Sequence, residues 1–224
     1  LNKVHIIDCG ITSYNTAWGL QQKLFDWVTE HRNLNYFILT QHFPVITIGK
    51  SGTRSHLLAA PEYLKRHHID LVEIDRGGDI TFHGPGQVVG YPILDLNGFR
   101  KDVHWYLRML EEVIIRTLEY FDIKGSRLEG LTGVWVGDQK ICAMGIKVTR
   151  WVTMHGFALN VNTDLSFFQH IIPCGINDKG VTSISRIIGN NVDINLVINK
   201  LRGHFEQVFG VTCISEPYTL YSTN

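Results

Sequence analysis

Residues 71–94 read LVEIDRGGDITFHGPGQVVGYPIL, and the way this stretch divides decides which folds are open to the chain. Leu71–Ile74 has the apolar, branched character of a strand. Arg76 to Gln87 then brings glycines, an arginine, a histidine and a proline into one loop. Val88–Leu94 resumes a strand pattern. Glycine opens backbone angles closed to other residues and lets a ligand approach main-chain N–H groups. Two readings fit: a tight inter-strand loop in which His83 is a hydrogen-bonded structural residue, or a cradle for a ligand. A P-loop or dinucleotide fingerprint needs a helix directly after its glycines. Here a strand follows, so the nucleotide-binding α/β folds lose their chief support.

The pattern on either side is mixed in the same way. Lys3–Cys9 reads as a strand, and Ala17, Leu20, Leu24, Trp27 and Val28 recur at helical spacing. Tyr36–Thr40 and Val45–Ile48 read as strands separated by Pro44, which cannot donate to a ladder from a central position. Pro61 suits the first position of a short helix. Asp102 is placed to cap a long helix carrying Leu107, Leu110, Ile114, Leu118 and Phe121. Val134–Val136, Ile141–Val148 and Trp151–Leu159 read as consecutive strands, with Asp138 in the first turn. Ile194, Val197, Leu201, Phe205 and Val208 mark a closing helix before a short strand, Val211–Ile214. Strands come in runs and not in βαβ alternation, which predicts an α+β fold with a mixed β-sheet and flanking helices. No repeat, low-complexity segment or Pro/Ser-rich linker divides the chain, so residues 1–224 read as a single domain.

The chain is 44% hydrophobic, enough for a sizeable core and too much for a disordered polyampholyte. No apolar run approaches the ~18–20 residues that span a bilayer, so no membrane association is expected. Lys and Arg number 21 and Asp and Glu 21, and this balance argues against a nucleic-acid partner. Cys9, Cys142, Cys174 and Cys213 are too few for a disulfide scaffold and lack zinc-site spacing. Leu1–Gly10 has no basic stretch followed by a long apolar run and does not read as a secretory signal. A reducing, cytoplasmic location is expected, or a mitochondrial one in a eukaryote. Nothing among the residues calls for a metal or an organic cofactor.

The run RGGDITFHGPGQVVGYPILDL resembles the signature of the octanoyltransferase, or lipoyl(octanoyl) transferase, family, which is related to the lipoate and biotin protein ligases. Arg76, Gly77, Gly78, Thr81, His83, Gly86, Gln87 and Tyr91 meet its pattern. Further blocks follow in the same order: His42–Val45 with Gly49, Gly133–Trp135, Lys140–Ile146, His155–Asn160, Ile172–Gly175 and Gly180–Ser183. The matches span residues 42–183, and their order makes the resemblance specific. Phe43 and Met144 are mild variations that remove no reactive group. The resemblance implies a biotin/lipoate protein ligase-like catalytic domain.

Cys174 lies between Pro173 and Gly175, a turn setting that would leave its sulfur accessible. Residue type alone fits a buried, inert thiol as well, and the other three cysteines fit that reading better. Attack on a thioester needs the thiolate, and an ordinary thiol with a pKa of about 8.5 is mostly protonated at neutral pH. Strand alternation would place Lys140 on one face with Cys142, Met144 and Ile146, where apolar surroundings would lower the amine toward the range of a general base. The alternative is an edge lysine with its charge in water. The resemblance implies Cys174 as nucleophile and Lys140 as the partner that activates it and moves protons. It also implies that three segments hold the acyl substrate: Arg76, Gly77, Gly78, Asp79, Ile80, Thr81, Phe82 and His83; Ala143, Met144 and Gly145; Gly156, Phe157 and Ala158. Main-chain N–H groups around Gly77–Gly78 or Gly156–Ala158 are candidate oxyanion donors. His83 and His155 are alternative bases, though a hydrogen-bonded loop role suits both.

The implied reaction moves an octanoyl group from octanoyl-acyl carrier protein to Cys174. It then passes to a lysine of a lipoyl domain, in 2-oxoacid dehydrogenase complexes or the glycine cleavage H protein. Such covalent catalysis predicts ping-pong kinetics and needs no ATP. The enzyme is expected to act as a monomer. An ATP-dependent lipoate/biotin-type protein ligase is the main alternative, but it needs phosphate-binding lysines and no nucleophilic cysteine. A cysteine hydrolase and a non-catalytic binding module are further alternatives. Lys147, Arg150 and Lys179 read as a docking patch for an acidic carrier protein or as scattered solvated charge.

Overall fold

Two sheets of unequal size organise the computed structural model, which describes residues 2–32, 34–172 and 179–221. In chain order the strands are β1 (Asn2–Thr12), β2 (Tyr36–His42), β3 (Val45–Ile48), β4 (Asp70–Glu73), β5 (Ile80–His83) and β6 (Gln87–Ile93). They continue with β7 (Ser126–Leu128), β8 (Leu131–Val136), β9 (Gln139–Thr149), β10 (Val152–Asn160) and β11 (Val211–Glu216). The eight-stranded sheet runs β11-β1-β2-β6-β10-β9-β8-β7, and the three-stranded sheet runs β4-β3-β5. β1 is parallel to both β11 and β2, whereas β6, β10, β9 and β8 pair antiparallel, so the large sheet is mixed as predicted.

Helices cover both faces of the large sheet because each inner strand is apolar on both sides. The helix α1 (Tyr14–Glu30) is capped by Ser13, whose hydroxyl accepts the Thr16 N–H at 3.1 Å. It buries Ala17, Leu20, Leu24 and Val28 against Ile38, Val89, Tyr91 and Ala158. Trp27, counted on the apolar stripe from spacing, is instead 48% exposed and stacks on His31. The short α2 (Pro61–Arg66) begins at Pro61. On the opposite face, α3 (Val103–Glu119), capped by Asp102, packs with the later helix α5 (Ile194–Phe209) through Leu110, Val113, Ile114, Val197, Leu201 and Phe205. Between them, α4 (Ile184–Ile188) follows Ser183 as its cap.

Pro44 sits where the chain leaves the large sheet for the small one. β2 pairs with β1 and β6, but β3 pairs only with β4 and β5. The glycine-dense stretch corrects the sequence reading here, since it is not one loop. Ile80–His83 forms a strand antiparallel to β3, because its alternation lets Ile80 and Phe82 join Ile46, Ile48, Leu64 and Phe168 in a second small core. Residues 71–94 therefore stitch the two sheets together and leave a gap between them.

Candidate active site

A cavity of about 380 Å³ fills that gap. Its floor is a patch without large side chains, where Ala143 pairs with Ala158 and Gly145 with Gly156 across β9 and β10. The Arg76–Gly78 loop approaches this floor closely. The Gly77 N–H donates to the Ile146 carbonyl at 3.0 Å, and a Cβ on Gly145 would lie 2.6 Å from the Gly77 oxygen. Gly78 turns the loop at φ +89°, a conformation that side-chain-bearing residues rarely adopt. The loop carbonyls are held in turn by the chain after β3. Lys50 N–H donates to Arg76 O at 3.0 Å and Ser51 N–H to Gly78 O at 3.2 Å. Arg76 is buried, with Nη2 donating to the Thr47 carbonyl and hydroxyl at 3.0 and 2.9 Å.

Arg76, Gly77, Gly78, Asp79, Ile80, Thr81, His83, Lys140, Ala143, Met144, Gly145, Gly156, Phe157 and Ala158 all border this one cavity. Phe82 does not. Its ring lies in the small core, stacked on Phe167 at 4.7 Å, since it alternates away from Thr81 and His83. The Asp79 carboxylate braces its own loop, accepting the Ile80 N–H at 2.7 Å and pairing with His56 at 2.6 Å. Cys174 lies outside the described residues, as do its neighbours Pro173 and Gly175. Tyr14 and Phe168 also border the cavity, and no sequence signal marked either.

Lys140 reaches the cavity for a reason that strand alternation missed. The β8–β9 register shifts, so that Val134 faces Cys142 while Trp135 faces Lys140. The extra residue, Ile141, forms a bulge in which Ile141 and Cys142 are both fully buried, and Lys140 is not on a shared face with Cys142. Gly133 occupies φ +112° opposite the bulge, where a Cβ would strike the Cys142 carbonyl, and its N–H donates to Glu111 Oε1 at 3.2 Å. Lys140 Nζ lies 4.7 Å above the Trp135 ring. Burial pushes Cys9 and Cys213 up to about 12 and Cys142 higher still, so these thiols stay protonated.

A relay of polar side chains backs the cavity. Gln87 uses its amide nitrogen to donate to Asn160 Oδ1 at 2.9 Å, so its oxygen accepts the His83 Nδ1–H at 2.7 Å. Asn160 Nδ2 in turn donates to the Thr182 carbonyl at 3.0 Å. Burial, with His42 and Arg76 nearby, lowers His83 to about 3, which keeps it neutral. Burial likewise lowers His42 to about 4, with Nδ1 donating to Thr12 O at 3.1 Å and Nε2 accepting the Tyr91 hydroxyl at 2.7 Å. These bonds give His83 a structural place.

Of the candidate oxyanion donors, the Gly77 N–H is committed to Ile146, and Phe157 and Ala158 sit in ladders with strands on both sides. His155 is buried at φ +57°, donates its N–H to Gln21 Oε1 at 3.0 Å, and bonds Asp75 Oδ1 through Nε2 at 2.9 Å. Lys147 Nζ donates to the other Asp75 oxygen at 2.5 Å, with the lysine side chain still 29% exposed.

A mixed sheet with helices on both faces, and a cavity floored by small residues under a glycine loop, defines the class of lipoate and biotin protein ligase-like catalytic domains. The fold is similar to that of the bi-partite lipoate protein ligase of Thermoplasma acidophilum, with a TM-score of 0.76 at 16% identity over 97% of this chain and 88% of that one. It is also similar to the biotin protein ligase from Aquifex aeolicus, with a TM-score of 0.56 at 15% identity over 94% of this chain and 71% of that one. Residues 13–206 match the lipoyl protein ligase A/B catalytic domain. The octanoyltransferase of Flavobacterium psychrophilum is 46% identical over 96% of this chain and 100% of that protein. That of Cytophaga hutchinsonii is 47% identical over 92% of each. The chain belongs to the octanoyltransferase family and is an acyltransferase.

Proposed function

We propose that this acyltransferase moves an octanoyl group from octanoyl-acyl carrier protein to a lysine of lipoyl domains, through a thioester on Cys174. The observation that carries the reading is Lys140. The bulge at Ile141 turns it into the cavity, and its main chain bonds Gly180 and Thr182, in the segment that follows Cys174 in sequence. In the first half-reaction the Cys174 thiolate attacks the thioester carbonyl, and the carrier thiolate leaves and takes a proton from the Lys140 ammonium. In the second, the acceptor ε-amine attacks the octanoyl-enzyme, an amide forms, the Cys174 thiolate is released, and Lys140 takes the amine proton. The acyl chain lies over the Ala143–Ala158 and Gly145–Gly156 floor among Ile80, Met144, Phe157 and Phe168, gaining up to ~0.8 kcal/mol per buried methylene.

Lipoyl domains as acceptors draw support from the Thermoplasma ligase, described together with its E2 lipoyl domain in an archaeal lipoylation system. The enzyme acts as a cytoplasmic monomer and consumes no ATP. No helix among the described residues is long and apolar enough to cross a membrane. Intact-mass analysis after incubation with octanoyl-carrier protein tests the reading. One octanoyl adduct is expected, absent in Cys174→Ser and discharged by a lipoyl domain. An adduct that persists in Cys174→Ser, or turnover that requires ATP, would overturn it.

A further inference from the structure

Two of the acyl-binding segments are paired across the β9–β10 hairpin and the third, Arg76–His83, comes from far earlier in the chain, yet each has a residue at or near its border in one hydrogen-bonded group. Asp75 directly precedes Arg76-Gly77-Gly78. Lys147 directly follows Ile146, whose carbonyl accepts the Gly77 N–H at 3.0 Å and which adjoins Gly145. His155 directly precedes Gly156. Asp75 Oδ2 accepts from Lys147 Nζ at 2.5 Å, and Asp75 Oδ1 accepts from His155 Nε2–H at 2.9 Å. We propose that Asp75 is a positioning residue whose carboxylate clamps the Arg76–Gly78 loop onto the β9–β10 hairpin and so sets the shape of the cavity, and the affinity for the acyl donor, without touching the reacting atoms.

The chemistry requires an ionised carboxylate. Both of its oxygens face donors, and an amide would turn its own N–H groups toward one of them. Partial burial works to raise the Asp75 carboxyl, but hydrogen bonds from Lys147 and His155, reinforced by the Lys147 charge, outweigh it and hold it below the ordinary range. Burial keeps His155 below its usual value despite the carboxylate, so the ring serves as a neutral N–H donor. The left-handed backbone of His155 is uncommon for a residue inside a strand, and such conformations persist where the surroundings over-determine them. Asp75 and Lys147 are 35% and 29% exposed, so the pair adds little to global stability. Its effect should lie in the placement of the Arg76–Gly78 loop over the Gly145–Gly156 floor.

The inference rests on the cavity being the acyl site. Steady-state transfer from octanoyl-carrier protein, with thermal midpoints, is to be measured for Asp75→Asn, Lys147→Met and Lys147→Arg. Loss of a hydrogen bond to a charged group corresponds to about 10-fold or more in an equilibrium, so Asp75→Asn and Lys147→Met are expected to raise the donor KM about 10-fold or more, with a smaller change in kcat. Their midpoints should stay near the parent's, and Lys147→Arg, which keeps a cationic donor, should restore most of the affinity. An unchanged donor KM in Asp75→Asn, or a rise that only follows a falling midpoint, would overturn the clamp. Failure of the parent enzyme to form an adduct on Cys174 would instead remove the acyl-site reading itself.

Discussion

Lys140 and Val181 form an isolated parallel bridge: the Lys140 N–H donates to the Gly180 carbonyl at 2.9 Å, and the Thr182 N–H donates to the Lys140 carbonyl at 3.0 Å. The main chain of the proposed proton-moving residue is thus fixed on both sides while its side chain reaches the cavity. Lys140→Arg keeps the charge but cannot release its proton at working pH. A general acid–base contribution is worth about 10²–10⁴-fold, so a loss of about 10²-fold or more in kcat is expected, with little change in the urea midpoint. Turnover within a few-fold of the parent would show that Lys140 moves no proton.

Gly145 and Gly203 make a matched pair for substitution by alanine. At Gly145 the added Cβ would lie 2.6 Å from the Gly77 backbone oxygen, which no side-chain rotation relieves. Gly145→Ala is expected to cost about 1–3 kcal/mol and to raise the donor KM, since the loop must lift from the floor. Gly203, inside α5, has open space where a Cβ would stand, with nothing within 4 Å, so Gly203→Ala should stabilise by roughly 0.5–1 kcal/mol through helix propensity. Denaturant titration of both variants, with donor kinetics, checks the contrast.

Glu111 is 1% exposed at its side chain and is held by Arg108 at 2.6 Å and Arg127 at 3.0 Å, while Oε1 accepts the Gly133 N–H. It therefore braces the strand facing the bulge that turns Lys140. Glu111→Ala is expected to lower stability by about 2 kcal/mol, less than breaking a wholly buried pair, because both arginines reach water. It should also lower kcat although Glu111 lies outside the cavity lining. Full kcat in a destabilised Glu111→Ala would mean that the bulge does not depend on this brace.

Acidification should weaken the fold before it affects most carboxylates. His83 and His42 are depressed to about 3 and about 4 in the folded state, against about 6.5 when unfolded. Above the unfolded value neither state binds the proton, and the stability contribution is fully present. As pH falls below it, the unfolded chain binds protons that the folded one refuses, and stability drops by about 1.4 kcal/mol per pH unit for each histidine until the folded value is reached. The two rings lie 5.8 Å apart, so charging one opposes charging the other. Urea midpoints between about pH 7 and pH 5 should fall more steeply for the parent than for His83→Asn, and equal slopes would exclude a buried neutral His83.

Local pattern in the sequence determined much of this molecule. Apolar runs located the long strands, Asp102 marked the start of a long helix, and strands in runs predicted the mixed sheet. Ordered blocks from His42 to Ser183 carried the family, because each is a short motif readable without its neighbours. Tertiary structure alone decided how the blocks meet. Lys140 faces the cavity because a bulge forms opposite Gly133, whose N–H is held by Glu111 from a distant helix, and strand alternation cannot foresee it. Phe82 leaves the cavity because a second small core exists to receive it, and Lys147 finds its ion-pair partner Asp75 on a loop from far earlier in the chain. The Asp75–Lys147 pair and the Glu111–Gly133 contact join residues far apart in the chain, and no short window of sequence contains both partners.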